Sequence, residues 1–226
     1  MSTLRIKKKV ALFDLDGVIF DTEPLYTEFW KGIFDRFLPG NNQLEYAIKG
    51  QTLVEIYDKY FPTQVDKQQS ITHALNDFEQ QMPFNYVAGF LPFMEDLKRN
   101  DIKTAVVTSS NRAVYREKMK QVYKQHPDFK PLFNKILTSE DFNKSKPDPD
   151  CYFKGAKYLE AEVSECIGFE DSLNGLRALQ AAHITTIGLS TTNSPELIAS
   201  YADIVIPNYQ ELTFSSLLAV LDKQHI

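Results

Sequence analysis

The chain reads as an α/β fold: a doubly wound parallel sheet with an α-helical domain inserted after its first strand. Three observations predict this. Short apolar runs alternate with amphipathic segments from residue 87 onward. One long stretch, 25–86, carries only helical periodicity. Polar residues with chemical potential stand directly behind several of the apolar runs. Strands of a parallel sheet are covered on both faces, so they appear as continuous apolar runs rather than alternating ones.

The elements follow in order. Residues 9–13 form a strand through Val10-Ala11-Leu12-Phe13, closed by Asp and Gly. Asp21-Thr22-Glu23-Pro24 marks a helix start, with a capping side chain and Pro in the first turn. Helical faces then recur: Leu25, Phe29 and Ile33; Leu53, Ile56, Tyr57 and Tyr60; Ile71, Leu75 and Phe78. The pattern changes at Val87-Ala88-Gly89-Phe90, and a helix carrying Phe93, Met94 and Leu97 follows. Strands are expected at 102–107, 135–137, 166–169, 185–189 and 203–206, with helices near 112–123, 150–159 and 173–182. The expected domains are a core of 1–21 and 87–226 and an insert of 22–86. Hinges are expected at 20–24 and 85–89.

Bulk properties narrow the function. The 226 residues are 43% hydrophobic and 12% aromatic, enough to bury a real core. The formal net charge is −5, which argues against nucleic acid as a partner. Cys151 and Cys166 lack metal-knuckle spacing and build no disulfide framework, as expected for a cytoplasmic protein. Behind Lys7-Lys8-Lys9 the apolar run is too short for a signal sequence, so no membrane association is expected. The expected partner is a small metabolite, and the expected state a monomer or weak dimer.

Four polar groups follow four predicted strands. Asp14 and Asp16 follow the first, Thr108 the second, Lys146 the third, and Glu170 with Asp171 the fourth. In a parallel sheet these carboxyl ends share one rim, where ligands bind. Four carboxylates on one rim repel one another unless a cation sits among them. An oxygen-only donor set suits a hard cation, and Mg²⁺ suits a site that also holds phosphate. Lys146 and the Thr108 hydroxyl then remain to bind an anion.

These residues sit in four stretches: Asp14-Leu15-Asp16-Gly17-Val18-Ile19-Phe20-Asp21-Thr22-Glu23-Pro24, the Thr108 hydroxyl, Lys146-Pro147-Asp148-Pro149-Asp150, and Gly168-Phe169-Glu170-Asp171-Ser172. Together they resemble the motifs of the haloacid dehalogenase superfamily. The helical insert resembles the cap of its β-phosphoglucomutase and sugar-phosphatase-like members. The resemblance covers nearly the whole chain and implies a Rossmann-like core, Mg²⁺, and phosphoric monoester hydrolase chemistry. Asp14 is then the nucleophile that forms an aspartyl-phosphate. Asp16 is the general acid and base and offers its carbonyl to the metal. Asp171 is a metal ligand, and Glu170 a ligand or its support. Thr108 and Lys146 hold the phosphate, with help from the Ser109 amide. The hydrolytic dehalogenases of this superfamily lack an acid at the Asp16 position, which puts this chain on the phosphoryl side.

Local readings stand beside these. Thr108-Ser109-Ser110-Asn111 also reads as a helix cap, a use compatible with anion contact by Ser109 and Asn111. The four histidines show no ligand spacing. Arg116-Glu117-Lys118 reads as part of a solvated charged face.

The insert selects the acceptor. Lys49, Gly50, Gln51 and Thr52 resemble the cap loop that closes over the site. The β-phosphoglucomutase loop has an arginine where this chain has Leu53, and its first cap helix a histidine where this chain has Tyr26. A phosphatase acting on a sugar or polyol phosphate is therefore the leading expectation. A phosphosugar mutase is the alternative within the superfamily. A catalytically silent phosphate-binding regulatory module is the alternative of another class; it would lack the nucleophile or a metal ligand, and none is missing here.

Overall fold

Six parallel strands make a single sheet in the computed structural model of the chain, which describes residues 7–49 and 51–224. They are β1 (Val10–Phe13), β2 (Lys103–Val107), β3 (Lys135–Leu137), β4 (Cys166–Glu170), β5 (Thr185–Leu189) and β6 (Ile204–Ile206). Their order is β3-β2-β1-β4-β5-β6, so the first strand lies at the switch point between two outward-growing halves. Phe13 is in register with Val106 on one side and Phe169 on the other. The ends of β1, β2 and β4 are therefore level.

Side-chain alternation explains the unbroken apolar runs. Ala11, Phe13, Val106, Ile167, Phe169, Ile187 and Leu189 enter one buried cluster. Val10, Leu12, Ala105, Val107 and Cys166 enter another on the opposite face. The first face is covered by α5 (Phe90–Arg99), α6 (Arg112–Gln125) and α10 (Phe214–Gln224). The second is covered by α7 (Asp150–Tyr158) and α8 (Leu173–Ala181), and a short α9 (Pro195–Ile198) lies between β5 and β6. Phe13 stacks on Phe169 at 4.6 Å between ring centroids, which ties the two central strands together beneath the rim. The helix α10 lies outside the elements expected above. Its signal is the three- and four-residue spacing of Phe214, Leu217 and Leu221, all buried in the first cluster.

Between β1 and α5 the chain forms α1 (Glu23–Phe37), α2 (Leu44–Ala47), α3 (Leu53–Tyr60) and α4 (Val65–Gln81). These helices bury an apolar cluster of their own around Trp30, Phe34, Ile56, Phe61 and Ile71. The strands entering and leaving them pair briefly: Asp21 N–H donates to the Asn85 carbonyl at 2.9 Å, and Val87 N–H to that of Ile19 at 2.9 Å. The end of α6 grips the exit strand. Gln125 Oε1 accepts from Phe84 N–H at 2.9 Å, and the His126 ring hydrogen-bonds the Phe84 carbonyl at 2.6 Å.

One local expectation is corrected. Pro24 does stand in the first turn of α1, but no side chain caps that helix. The Thr22 hydroxyl donates to Asp16 Oδ1 instead, at 3.2 Å. Gly89, at the end of the expected hinge 85–89, is closely packed. Its φ is +80°, and a Cβ there would meet the backbone of Tyr209 and Gln210 at 2.5 Å. Gly89→Ala combines left-handed strain with this overlap and should cost on the order of 2–4 kcal/mol. Denaturant titration measures it; a loss under about 0.5 kcal/mol, the size of an ordinary surface change, would contradict the packing account.

Candidate active site

The rim is organised by one lysine. Asp14 follows β1, and its N–H donates to the Phe169 carbonyl at 3.1 Å, extending the ladder one residue beyond the strand. Lys146 arrives from the loop before α7 with its side chain 5% exposed. Its ammonium lies 2.5 Å from Asp14 Oδ1 and 2.5 Å from Glu170 Oε1, and donates to the Val107 carbonyl at 3.0 Å. Its contacts thus draw together one group from the end of each of β1, β4 and β2. Thr108, buried just beyond Val107, accepts from Ser110 N–H at 3.2 Å and so bends the loop over the rim.

Glu170 is buried and fully satisfied. Oε1 also accepts from Tyr152 O–H at 2.7 Å, while Oε2 accepts from the Asp171 and Ser172 amides and the Ser172 hydroxyl. Asp171 is buried too: its Oδ2 accepts from Thr192 O–H, and its carbonyl from Asn193 Nδ2 at 2.9 Å. Gly17, at φ +73°, lies against this carboxylate, and a Cβ there would overlap Asp171 Oδ2. Thr191 completes the turn by donating to the Gly17 carbonyl at 2.6 Å.

Oxygens of Asp14, Glu170 and Asp171 all lie within 4.8 Å of one another. Three carboxylates against one ammonium leave two negative charges in a recess with little water. Burial first, and then the Glu170 charge, push the Asp14 carboxyl up to about 7 despite Lys146. Asp171 is raised well above the usual carboxylate range by burial and by Glu170 and Asp14. For Lys146, burial is outweighed by Asp14 and Glu170, which hold it charged above its ordinary range. The residues fit a divalent cation: the donors are all oxygen, the excess is two charges, and both strained carboxyls would be relieved by it. Since Glu170 has no idle oxygen, Asp14 and Asp171 are the side chains suited to direct ligation.

Asp16 points to a different set of partners. Oδ1 accepts from Thr22 and Oδ2 from Lys118 Nζ at 2.5 Å. Lys118 is 8% exposed, so the expectation that it belongs to a solvated face is wrong. It lies on the α6 stripe that buries Tyr115, Met119 and Val122, and that spacing was its signal. Thr191, Thr192 and Asn193 follow β5, whose end lies on the same rim as the other four strands; applying the strand-end rule there finds them.

On the insert side a cavity of about 200 Å³ is lined by Glu23, Tyr26, Trp30, Glu45, Lys49, Gln51 and Leu53 among others. Lys49 Nζ donates to the Thr192 carbonyl at 3.3 Å, joining the cavity wall to the rim, and lies 3.8 Å from Glu23. Tyr26 donates to Glu79 at 2.8 Å, and Gln51 to the Ala47 carbonyl at 2.8 Å. Thr52 does not join them. It is exposed and caps α3 in a reciprocal pair with Glu55. Asn111 likewise caps α6, accepting from Val114 N–H at 2.9 Å. Ser109 is exposed on the loop beside Thr108. Gly50 lies outside the described residues.

The family model described as haloacid dehalogenase-like hydrolase matches residues 11–189, which contain every rim residue above except those after β5. The chain belongs to the haloacid dehalogenase-like hydrolases. Among the relatives of this hydrolase, validoxylamine A 7'-phosphate phosphatase of Streptomyces hygroscopicus subsp. limoneus is 27% identical, over 90% of this chain and 95% of the other. Beta-phosphoglucomutase of Bacillus subtilis is 25% identical over 92% and 93%. A solved hydrolase of the family from Entamoeba histolytica superposes with a TM-score of 0.73 at 22% identity, covering 95% of this chain and 99% of that one. Among the described residues no helix is long and apolar enough to cross a membrane.

The raised carboxyls set a pH prediction. A cation binds the ionised forms, so binding must expel the protons that Asp14 and Asp171 retain. Added Mg²⁺ should therefore raise the melting temperature of the metal-free protein more at pH 8 than at pH 5, the increment growing as pH rises through about 7. Scanning calorimetry with and without Mg²⁺ measures this, and equal increments at both pH values would contradict the ligand assignment.

Proposed function

We propose that this hydrolase is a Mg²⁺-dependent cytoplasmic phosphatase of a small phosphorylated metabolite, a sugar or polyol monophosphate, working through an aspartyl-phosphate. The observation that carries this reading is Lys146 bridging Asp14 and Glu170 beside Asp171. Such a rim holds a nucleophile, an anion-binding ammonium and a cation-binding recess together.

In the first step a carboxylate oxygen of Asp14 attacks phosphorus, and the bond from phosphorus to the ester oxygen breaks. Asp16 gives its proton to that departing oxygen. In the second step Asp16 takes a proton from water, whose oxygen attacks phosphorus. The bond to Asp14 breaks, and inorganic phosphate leaves. Lys146 and Thr108 hold the phosphate oxygens, and Glu170 fixes Lys146. Asp14, Asp171 and the Asp16 carbonyl would hold Mg²⁺, which when bound neutralises charge between nucleophile and phosphate.

Segment 22–86 serves as the cap, and its cavity selects the substrate. Leu53 stands in that wall with Glu23 and Glu45, an arrangement that disfavours a second phosphate. Tyr26 is committed to Glu79, and burial raises its hydroxyl well above the ordinary range, so it offers no base. Both features favour water over a phosphosugar as acceptor. The Streptomyces relative is a phosphatase of validoxylamine A 7'-phosphate, a phosphate ester.

The test is phosphate release from a panel of sugar, polyol and nucleoside monophosphates with Mg²⁺. Release should be seen, and Asp14→Asn should lower kcat by about 10³-fold or more, since it removes the attacking group. Conversion of β-glucose 1-phosphate to the 6-phosphate without net release would establish the mutase instead.

A further inference from the structure

We propose that Lys118 is a positioning residue that holds the ionised Asp16 carboxylate in place to take its proton from water. This rests on the phosphatase reading above, in which Asp16 is the acid and base. Lys118 Nζ lies 2.5 Å from Asp16 Oδ2, and Thr22 donates to Oδ1 at 3.2 Å. With one donor on each oxygen, the plane of the carboxylate is fixed. The lysine is delivered from a rigid element. At one end of α6 Asn111 caps the helix, and the Ser110 carbonyl accepts from Ser139 N–H at 3.1 Å. At the other end Gln125 and His126 are bonded to Phe84. Between these anchors the side chain is 8% exposed. Burying an ammonium is costly without a partner, and Asp16 is the partner it meets.

The arrangement divides the labour of two lysines. Lys146 sits with the nucleophile and is placed to meet phosphate. Lys118 sits with Asp16, the proton carrier. The gripping of Thr22 also ties the carboxylate to the first residue of the cap linker, so that Asp16 is referenced to core and cap together. Misplacement by about 1 Å of a group acting at the reacting centre costs about 10²-fold in rate.

The experiment is a double-variant cycle of Lys118→Met and Asp16→Asn, assayed with β-glycerol phosphate and with p-nitrophenyl phosphate under rapid quench. Lys118→Met should lower kcat on the glycerol ester by about 10²-fold and leave KM within about threefold. With the nitrophenyl ester, whose leaving group departs without a proton, phosphoenzyme should form within about threefold of the wild-type rate and then hydrolyse slowly. The double variant should fall no more than about threefold below Asp16→Asn alone. Losses that multiply in the double variant, or a rise in KM at unchanged kcat, would overturn the positioning role. Should Lys118→Met fail to fold, Lys118→Gln runs in the same cycle with the same outcomes. Wild-type protein inactive on every ester would overturn the phosphatase reading and this one with it; an active wild type with multiplying losses overturns only the role of Lys118.

Discussion

Everything at the rim depends on one buried ammonium among carboxylates. Lys146 joins the ends of β1, β2 and β4 through Asp14, Val107 and Glu170. Breaking a buried pair of this kind costs about 3–5 kcal/mol, because a charge is left without water or partner. The pairing is incomplete by design of the composition: Asp171 adds a third carboxylate that Lys146 does not reach. With all three ionised the recess would carry an excess of negative charge, and burial together with that crowding raises the carboxyls of Asp14 and Asp171. A cation would relieve the crowding, and phosphate would then be attracted where a bare carboxylate cluster would repel it.

The rest of the fold supplies rigidity around this point. Phe13 and Phe169 stack below it, Tyr152 braces Glu170 from α7, and Gly17 admits the turn that closes on Asp171. The surroundings of Asp16 are built separately, from α6 and Thr22. Asp14 and Asp16 are two residues apart in sequence, yet their side chains share no hydrogen-bond partner among the described residues.

Much of this was legible in the sequence, for physical reasons. A strand buried on both faces announces itself as an apolar run, and the polar residue behind it must lie on the rim. That logic places Asp14, Asp16, Thr108, Glu170 and Asp171 on the rim, and it extends to Thr191-Thr192-Asn193 behind β5; Lys146, in the loop between β3 and α7, is marked instead by its Lys146-Pro147-Asp148-Pro149-Asp150 stretch. It does not find side chains that reach the site from a helix. Lys118 stands in a run of charges, and only its place on the buried α6 stripe separates it from Glu117 and Lys120, whose pairing is exposed. Thr52 and Asn111 show the opposite difficulty. Small polar residues at a helix start can cap or can bind a ligand, and at both positions the orphan amides of the helix take the side chain.

The central claim is that Asp14 carries the phosphoryl group between ester and water. Rapid acid quench of the enzyme with p-nitrophenyl phosphate and Mg²⁺, followed by peptide mass spectrometry, tests it most directly. The account predicts one added phosphoryl group on Asp14, formed before phosphate appears in solution and enriched in Asp16→Asn, where hydrolysis is slowed. Steady release of phosphate with no modified peptide at any quench time, or a phosphoryl group on another residue, would contradict it.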